Sequence, residues 1–212
     1  MRKVKSVVQV VPPKQRDAQS SRTFTQQKKE NTVWIVGDSY IQRSKDRARE
    51  TIGTNLGVCA HIKWFGRGGM CWNSLLHVFH QCLEGRTAPD VLLIHCGGND
   101  LGHVKSVLLV KAMKKDLHYL HKNFPQMKIM FSIINQRCHW RYGPHGKMEK
   151  ARKFVNSVMD TFVLACNGIT VHHSDILFDK PGLFLRDKVH LTDKGHDIFL
   201  RDIAKGLNDI SF

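Results

Sequence analysis

The stretch VWIVGDSY, residues 33–40, decides the fold of this chain. Its first four residues form a short β-branched and aromatic run typical of a buried strand. Gly37 then permits a tight turn, and Ser39 falls where a following helix is expected to begin. A helix N-terminus stabilises developing negative charge, which favours a nucleophilic hydroxyl there, whereas simple helix capping by Asp38 or Ser39 explains the same residues without catalysis. The motif alone leaves both interpretations open.

Outward from this stretch, short β-branched runs alternate with longer amphipathic stretches. The runs predicted as strands are 33–36, 61–65, 91–95, 128–134 and 169–172. The stretches predicted as helices are 41–56, 72–84, 104–124, 147–166 and 193–207. In the third helix the stripe expected to face the core is Val107, Val110, Leu117 and Leu120, backed by Lys111 and Lys114. Five βα units of this kind predict an α/β fold with a parallel sheet, whose ligands bind beyond the carboxyl ends of the strands.

Two glycine-rich turns follow the second and third predicted strands. Gly66, Gly68 and Gly69 imply positive φ angles or a close backbone approach to a ligand, and backbone N–H groups there are suited to bind an oxyanion. Asn99, in the stretch GGND at 97–100, offers a side-chain amide for the same purpose. A flexible turn and a turn asparagine explain the two segments equally well when each is taken alone.

Asp187 and His190 come after the fifth predicted strand and just before the last helix, which Thr192 is placed to cap. In a turn, this spacing lets the carboxylate orient the imidazole, which leaves the other ring nitrogen free to take a proton from Ser39. A surface histidine beside a capping aspartate is the alternative interpretation.

Together these motifs resemble the four sequence blocks of the SGNH, or GDSL-like, hydrolases. The resemblance is carried by Gly37-Asp38-Ser39, the segment 66–69, Gly97-x-Asn99-Asp100 and Asp187-x-x-His190, and it extends over about residues 33–207. It implies a flavodoxin-like three-layer α/β/α sandwich with a five-stranded parallel sheet, in a domain covering residues 31–212. It also implies a serine hydrolase that cleaves an ester-linked acyl or acetyl group and uses neither a metal nor an organic cofactor.

The resemblance assigns a role to each matching residue. Ser39 is expected to be the nucleophile, His190 the general base, and Asp187 the residue that orients the base. The backbone N–H groups of Ser39 and Gly69 and the side-chain amide of Asn99 are expected to form the oxyanion hole.

Substrate contacts are expected from residues that the family pattern does not fix. Arg67 would present a cation that favours an anionic substrate, although a solvated arginine explains it as well. Trp140 and Tyr142 lie in the segment 135–146, which follows the fourth strand and is rich in arginines and aromatic groups. We interpret this segment as a lid over the pocket, with specificity as its second role. Tyr40, where an aliphatic residue is common in the family, bears on substrate preference more than on catalysis.

The charge of the chain raises a second function. Lys and Arg total 33 against 18 Asp and Glu, a formal charge of +15, so the surface is expected to attract polyanions. Residues 1–30 form a basic stretch without periodicity, which predicts a disordered tail. The alternative function is therefore a nucleic-acid-binding module on an SGNH-like fold. A basic tail before an SGNH esterase domain also resembles the arrangement in some proteins encoded by mobile genetic elements, which implies such a context. The intact catalytic set favours hydrolysis, and the two functions are compatible.

The cysteines and the apolar runs restrict the class of protein. Six cysteines occur without a C-x-x-C pair, which predicts free thiols and neither a zinc site nor a redox motif. We find no Asn-x-Ser/Thr sequon, no apolar leader-like run and no run of membrane-spanning length. These features predict a soluble intracellular protein, cytoplasmic or nuclear, and leave its oligomeric state and its acyl substrate open.

Overall fold

The computed structural model describes residues 30–210. The strands in this part of the chain are β1 (Thr32–Gly37), β2 (His61–Gly66), β3 (Val91–His95), β4 (Lys128–Ser132) and β5 (Ile169–Val171). The α-helices are α1 (Ser39–Glu50), α2 (Leu75–Leu83), α3 (Ser106–Asn123), α4 (His145–Ala165) and α5 (Asp193–Asn208). None of these described helices is both long and apolar enough to cross a membrane. The tail predicted over residues 1–30 lies outside the described residues, apart from Glu30.

The strands of residues 30–210 form one five-stranded sheet in the order β2-β1-β3-β4-β5, with every neighbouring pair parallel. The predicted α/β sandwich around a five-stranded parallel sheet is therefore confirmed. The chain winds outward from β1 to β2 and then, in the other direction, from β3 to β5. Open α/β sheets form ligand sites at such a switch point, beyond the carboxyl ends of the strands. Gly37 and His95, which end β1 and β3, pair with each other at this point.

Alternation along the strands divides the core into two layers. In β1, Trp34 and Val36 pack with α2, α3 and α4 on one face of the sheet. Val33 and Ile35 pack with α1 and α5 on the other face. Successive strand side chains point to opposite faces, so an uninterrupted apolar run is what a sheet covered on both sides requires.

The first helix is shorter than the sequence pattern predicted. It begins at Ser39 and ends at Glu50, whereas the prediction extended it to residue 56. Gly53 adopts a φ of +82° and donates its N–H to the carbonyl oxygen of Ala48 at 2.8 Å. A left-handed glycine just past a helix end is a common way of closing the last turn, and the apolar residues beyond it belong to the following loop.

The fourth strand and the third helix also differ from the pattern. The strand ends at Ser132 rather than at residue 134, because Asn156 Oδ1 of α4 accepts the N–H of Ile134 at 3.0 Å and draws it out of the ladder.

Val107, predicted to face the core, is 61% exposed. The buried stripe of α3 is centred on Met113, and Val107 lies roughly a third of a turn away from it.

A chain of buried polar side chains links the carboxyl ends of β3, β4 and β5 to α5. Ser132 Oγ lies 2.9 Å from His95 Nδ1 and 2.8 Å from His173 Nε2. His173 Nδ1 lies 3.1 Å from Asp202 Oδ2. Burial lowers the pKa of His173 and holds that of His95 well below its ordinary value, so both rings are neutral near pH 7.

We expect the free energy of unfolding to fall as the pH drops from about 6.5 toward 4. Burial lowers the pKa of His196 to about 4, and it lowers the pKa of His95 and His173 as well, so the unfolded chain binds protons here that the folded chain does not. Between its unfolded pKa and its folded pKa of about 4, His196 contributes a loss of about 1.4 kcal/mol per pH unit, and His95 and His173 add to the loss in the same direction. Urea denaturation at several pH values measures the decline in the free energy of unfolding. His196→Gln should reduce the slope of that decline by about 1.4 kcal/mol per pH unit. A stability that stays constant over this range would contradict the prediction.

Candidate active site

Ser39 is the first residue of α1 and lies at the switch point of the sheet. The helix is capped by Asp38, whose Oδ1 accepts the N–H of Tyr40 at 2.9 Å. Glycine is required at position 37, because a Cβ there would lie 2.2 Å from the carbonyl oxygen of His95 on the neighbouring strand. Capping is thus performed by Asp38, which leaves Ser39 Oγ available for another partner.

Ser39 Oγ faces the imidazole of His190. The distance from Oγ to His190 Nε2 is 3.1 Å. On the other side of the ring, His190 Nδ1 lies 2.7 Å from Asp187 Oδ2. Asp187 Oδ1 also accepts the backbone N–H groups of Val189 and His190, both at 2.9 Å. The carboxylate therefore orients the backbone and the ring of the histidine together, and the ring nitrogen facing Ser39 is placed to accept a proton.

The carboxyl group of Asp187 stays ionised down to acid pH. Burial by itself would raise its pKa, but hydrogen bonds from the His190 ring and from two backbone N–H groups outweigh this and hold the pKa at about 2. Asp187 therefore carries its charge throughout the neutral range. There it favours the tautomer of His190 that has its proton on Nδ1.

A tight hairpin presents Asp187 and His190. Leu185 donates its N–H to the carbonyl oxygen of His190 at 2.8 Å and closes the hairpin. Lys188 adopts a φ of +60°, a conformation that residues with a side chain rarely take up. Its carbonyl oxygen accepts the N–H of His139 at 2.9 Å, which ties the turn to the segment after β4.

Tyr40, the residue after the serine, ties the same hairpin to α1. Its ring is buried, and its hydroxyl donates to the carbonyl oxygen of Val189 at 2.7 Å. Burial raises the pKa of Tyr40 to about 12, so the hydroxyl remains a donor. The sequence pattern gave this residue a bearing on substrate preference more than on catalysis, and the structure shows in addition that it holds the loop of His190 next to Ser39.

Gly69 and Asn99 follow β2 and β3, the two strands that flank β1. Gly69 is exposed and has a φ of +70°, while Asn99 is half-buried. Asn99 Nδ2 donates to the carbonyl oxygen of Met70 at 3.1 Å and lies 3.4 Å from Asp38 Oδ2. The structure therefore brings both residues of the predicted oxyanion hole to the strand ends on either side of Ser39.

Arg137 is buried beside Asn99, in a place that the sequence did not indicate. Its Nη1 donates to Asn99 Oδ1 at 3.2 Å, and its Nη2 lies 3.5 Å from Asp38 Oδ2. The guanidinium lies over the rings of Tyr40 and Trp140, 5.3 Å from each centroid. Because the Asn99 amide oxygen accepts a hydrogen bond from Arg137, the NH2 group of that amide is directed toward Asp38.

The segment 135–146, interpreted from its composition as a lid, is partly buried and partly exposed, with His139, Arg141 and Tyr142 on the surface. Its role as a lid stays a prediction. Asn135, Arg137 and Trp140 are all buried. One sequence signal is consistent with this arrangement, because a Cβ at Gly98 would lie 2.7 Å from Arg137 Nη2. A glycine in the turn before Asn99 leaves room for a large side chain to approach it.

The three residues predicted to contact substrate have different surroundings. Trp140 is 4% exposed and packs under Arg137, so little of its ring reaches solvent. Tyr142 is 43% exposed, and its ring centroid lies 5.2 Å from that of His103. Arg67 is exposed and lines a cavity beside β2. Their contact with a substrate stays a prediction.

Metal-ligating side chains do not gather in the described part of the chain. Residues 30–210 contain no group of three or more His, Cys, Asp or Glu side chains placed to hold a metal ion. Cys59, Cys71, Cys82, Cys96, Cys138 and Cys166 are all free thiols. Of these, Cys138 lies in the segment after β4, with its Sγ 3.0 Å from the carbonyl oxygen of Phe178.

Comparison with known proteins adds to this geometry. No protein-family model matches the chain, and no curated protein matches it. Among solved structures the chain is similar to a GDSL-like lipase from Bacteroides thetaiotaomicron, with 16% identity, a TM-score of 0.69, and 85% of this chain matched to 89% of that one. It is similar to a lipolytic protein of the G-D-S-L family from Veillonella parvula, with 12% identity, a TM-score of 0.70, and coverage of 84% and 99%.

A third similar structure is a psychrotrophic esterase from Pseudoalteromonas sp. inhibited by monoethylphosphonate. It shares 14% identity with a TM-score of 0.62, and 85% of this chain is matched to 98% of that one. At such identities the comparisons show the fold. The resemblance to the SGNH/GDSL-like hydrolases, first carried by the four motifs, is confirmed at that level.

We expect Tyr40→Phe to destabilise the protein by about 1 kcal/mol, because it leaves the partly buried carbonyl oxygen of Val189 without its donor. Tyr119→Phe is the matched control, since that hydroxyl is exposed and bonds only to His80 among the described residues. Its effect should stay within about 0.5 kcal/mol. Urea denaturation of both variants measures the difference, and equal effects would contradict the assigned role of Tyr40.

Proposed function

We propose that this protein is a serine hydrolase that cleaves an ester-linked acyl or acetyl group. The observation that carries the proposal is the hydrogen-bonded series of Ser39, His190 and Asp187, with distances of 3.1 and 2.7 Å, at the switch point of the sheet. The similar solved structures include proteins described as a lipase, an acylhydrolase and an esterase, which supports hydrolysis as the class of reaction.

In the proposed reaction Ser39 Oγ attacks the carbonyl carbon of the ester while His190 Nε2 takes the hydroxyl proton. The imidazolium then protonates the leaving alcohol oxygen as the ester C–O bond breaks, which leaves the acyl group on Ser39. Water deprotonated by the same nitrogen attacks the acyl-enzyme, and Ser39 Oγ recovers the proton as the carboxylic acid departs. Asp187 remains ionised in both halves and keeps the imidazole in place.

Three donors are proposed for the negative charge that develops on the carbonyl oxygen. The N–H of Ser39 is one, because the first residue of a helix has no intrahelical acceptor for its amide. The amide group Asn99 Nδ2 is the second donor. One of its protons bonds the carbonyl oxygen of Met70 at 3.1 Å, and the other faces Asp38 Oδ2 at 3.4 Å. The contact with Asp38 is long, and we propose that the oxyanion replaces it. The N–H of Gly69 is the third.

The substrate is proposed to be a small acyl ester bound between the turns after β2 and β4. Arg67 and Tyr142 remain candidate contacts because both are exposed in those turns. Trp140 is proposed to act indirectly, by supporting Arg137 and hence the orientation of the Asn99 amide. These assignments concern substrate preference and leave the proton transfers unchanged.

We expect Ser39→Ala to lower kcat for p-nitrophenyl acetate by at least about 10³-fold, because it removes the attacking oxygen. A fluorophosphonate probe should label wild type at Ser39, as mass mapping of the adduct would show. Ser157→Ala is the matched control, since that serine is exposed on α4. Equal turnover by wild type and Ser39→Ala, or labelling at another residue, would overturn the proposal.

We expect Asn99→Ala to lower kcat by about 10²- to 10³-fold with a smaller change in KM, because an oxyanion donor acts mainly in the transition state. Asn123→Ala on α3 is the control, since that amide is exposed and bonds the carbonyl oxygen of Tyr119. Steady-state kinetics with the same ester gives both constants. A change confined to KM would remove Asn99 from the oxyanion hole.

A further inference from the structure

The exposed side of α3 carries a row of basic residues. They are Lys111, Lys115, His118 and Lys122, spaced four, three and four positions apart along the helix. This spacing places them on one side of α3, opposite the buried Met113, in a row about 16 Å long. The helix α4, which packs against α3, carries further exposed lysines. We define the α3–α4 surface as Lys111, Lys115, His118, Lys122, Lys147, Lys150, Lys153 and Phe154.

The lysines of the α3–α4 surface have no ion-pair partner among the described residues. The three acidic side chains of the two helices have other partners, and one of them, Asp160, has its Oδ1 3.1 Å from His172 Nε2. Asp116 Oδ2 accepts the indole N–H of Trp72 at 2.9 Å. Glu149 is buried against Arg152 at 2.8 Å. The positive charge of this surface is therefore left for a partner outside the described chain.

The helices on the other side of the sheet hold several arginines in ion pairs, although Lys45, Lys194 and Lys205 there have none among the described residues. Arg47 of α1 pairs with Asp197 of α5 at 2.7 Å. Arg201 of α5 pairs with Asp175 at 2.8 Å. Helices α1 and α5 together carry seven Lys and Arg against five Asp and Glu, a net charge of +2. Helices α3 and α4 together carry eight Lys and Arg against three Asp and Glu, a net charge of +5, so the excess of positive charge is larger on their side of the sheet.

An exposed aromatic ring lies among these lysines. Phe154 is 43% exposed. It follows Lys147 and Lys150 at spacings of seven and four residues, which puts the three on one side of α4. Single-stranded nucleic acids are bound by this combination of cations for the phosphates and an aromatic face for a base.

We propose that the α3–α4 surface binds single-stranded nucleic acid, with its lysines on successive phosphates and Phe154 stacked on a base. An anionic membrane fits less well, because a helix that lies on lipid needs a broad apolar side, and the exposed side of α3 is cationic from Lys111 to Lys122. The surface faces outward from the helical layer, whereas Ser39 lies at the edge of the sheet. Binding here is thus compatible with hydrolysis and does not depend on it.

The test compares two triple variants of the full chain that remove the same charge. K111Q/K115Q/K122Q alters the α3–α4 surface, and K45Q/K194Q/K205Q alters lysines of α1 and α5 on the other side of the sheet. Affinity for a fluorescent oligothymidylate is measured across a salt series. For a single strand, three lost phosphate contacts should make the slope of log K against log salt shallower by about 2. That corresponds to about a 100-fold loss at 0.1 M salt when the proteins bind equally at 1 M.

The control triple should change the slope much less, and Phe154→Ala should weaken binding by at least about fivefold through the lost stacking. Thermal melting curves that match wild type exclude unfolding as the cause. Equal losses in the two triple variants would overturn the proposal, because they would assign binding to net charge or to the N-terminal residues. Unchanged oligonucleotide affinity with lost binding to phosphatidylserine vesicles would overturn it in favour of a membrane.

Discussion

The rest of the site depends on the burial of the Asp38 carboxylate and on the hydrogen bonds that this group accepts. It is fully buried at the start of α1, where it caps the helix through the N–H of Tyr40. Burial raises its pKa, and the guanidinium of Arg137 opposes this by favouring the charged form. A charge in such a position is tolerated only where its neighbours are held as partners. The N–H of Tyr40 is the close partner at 2.9 Å. The longer contacts of Asn99 and Arg137, at 3.4 and 3.5 Å, place the turn after β3 and the segment after β4 around the same carboxylate.

The acid and base of the site come from a long loop rather than from a strand end. They follow β5, the edge strand, which β3 and β4 separate from β1. The loop reaches back to Ser39, and the bonds that hold it include those from the Tyr40 hydroxyl to Val189 and from the His139 N–H to Lys188. The 3.1 Å contact between Ser39 and His190 is therefore a product of tertiary packing. Without these tethers a loop of this length would sample many positions of the imidazole.

Much of the fold could be predicted because the strands are apolar on both faces and the helices on one. The runs at 33–36 and 91–95 indicate buried parallel strands, and parallel strands bring their carboxyl ends to one edge. From the sequence alone, that rule predicts that Ser39, Gly69 and Asn99 lie at the same edge of the sheet. It fails at element ends, where a single contact such as that of Asn156 with Ile134 decides the boundary. It also fails for Arg137, since composition alone marks an arginine as a surface residue.

The sequence by itself therefore determined the sheet and the identity of the residues at its carboxyl edge, because hydrophobic period and turn glycines are local properties of the chain. Only the tertiary structure decided how those residues face one another. Arg137 orients the Asn99 amide and Tyr40 anchors the hairpin of His190, each across a long stretch of sequence. Such contacts depend on burial, and burial is a property of the packed molecule that no local pattern specifies.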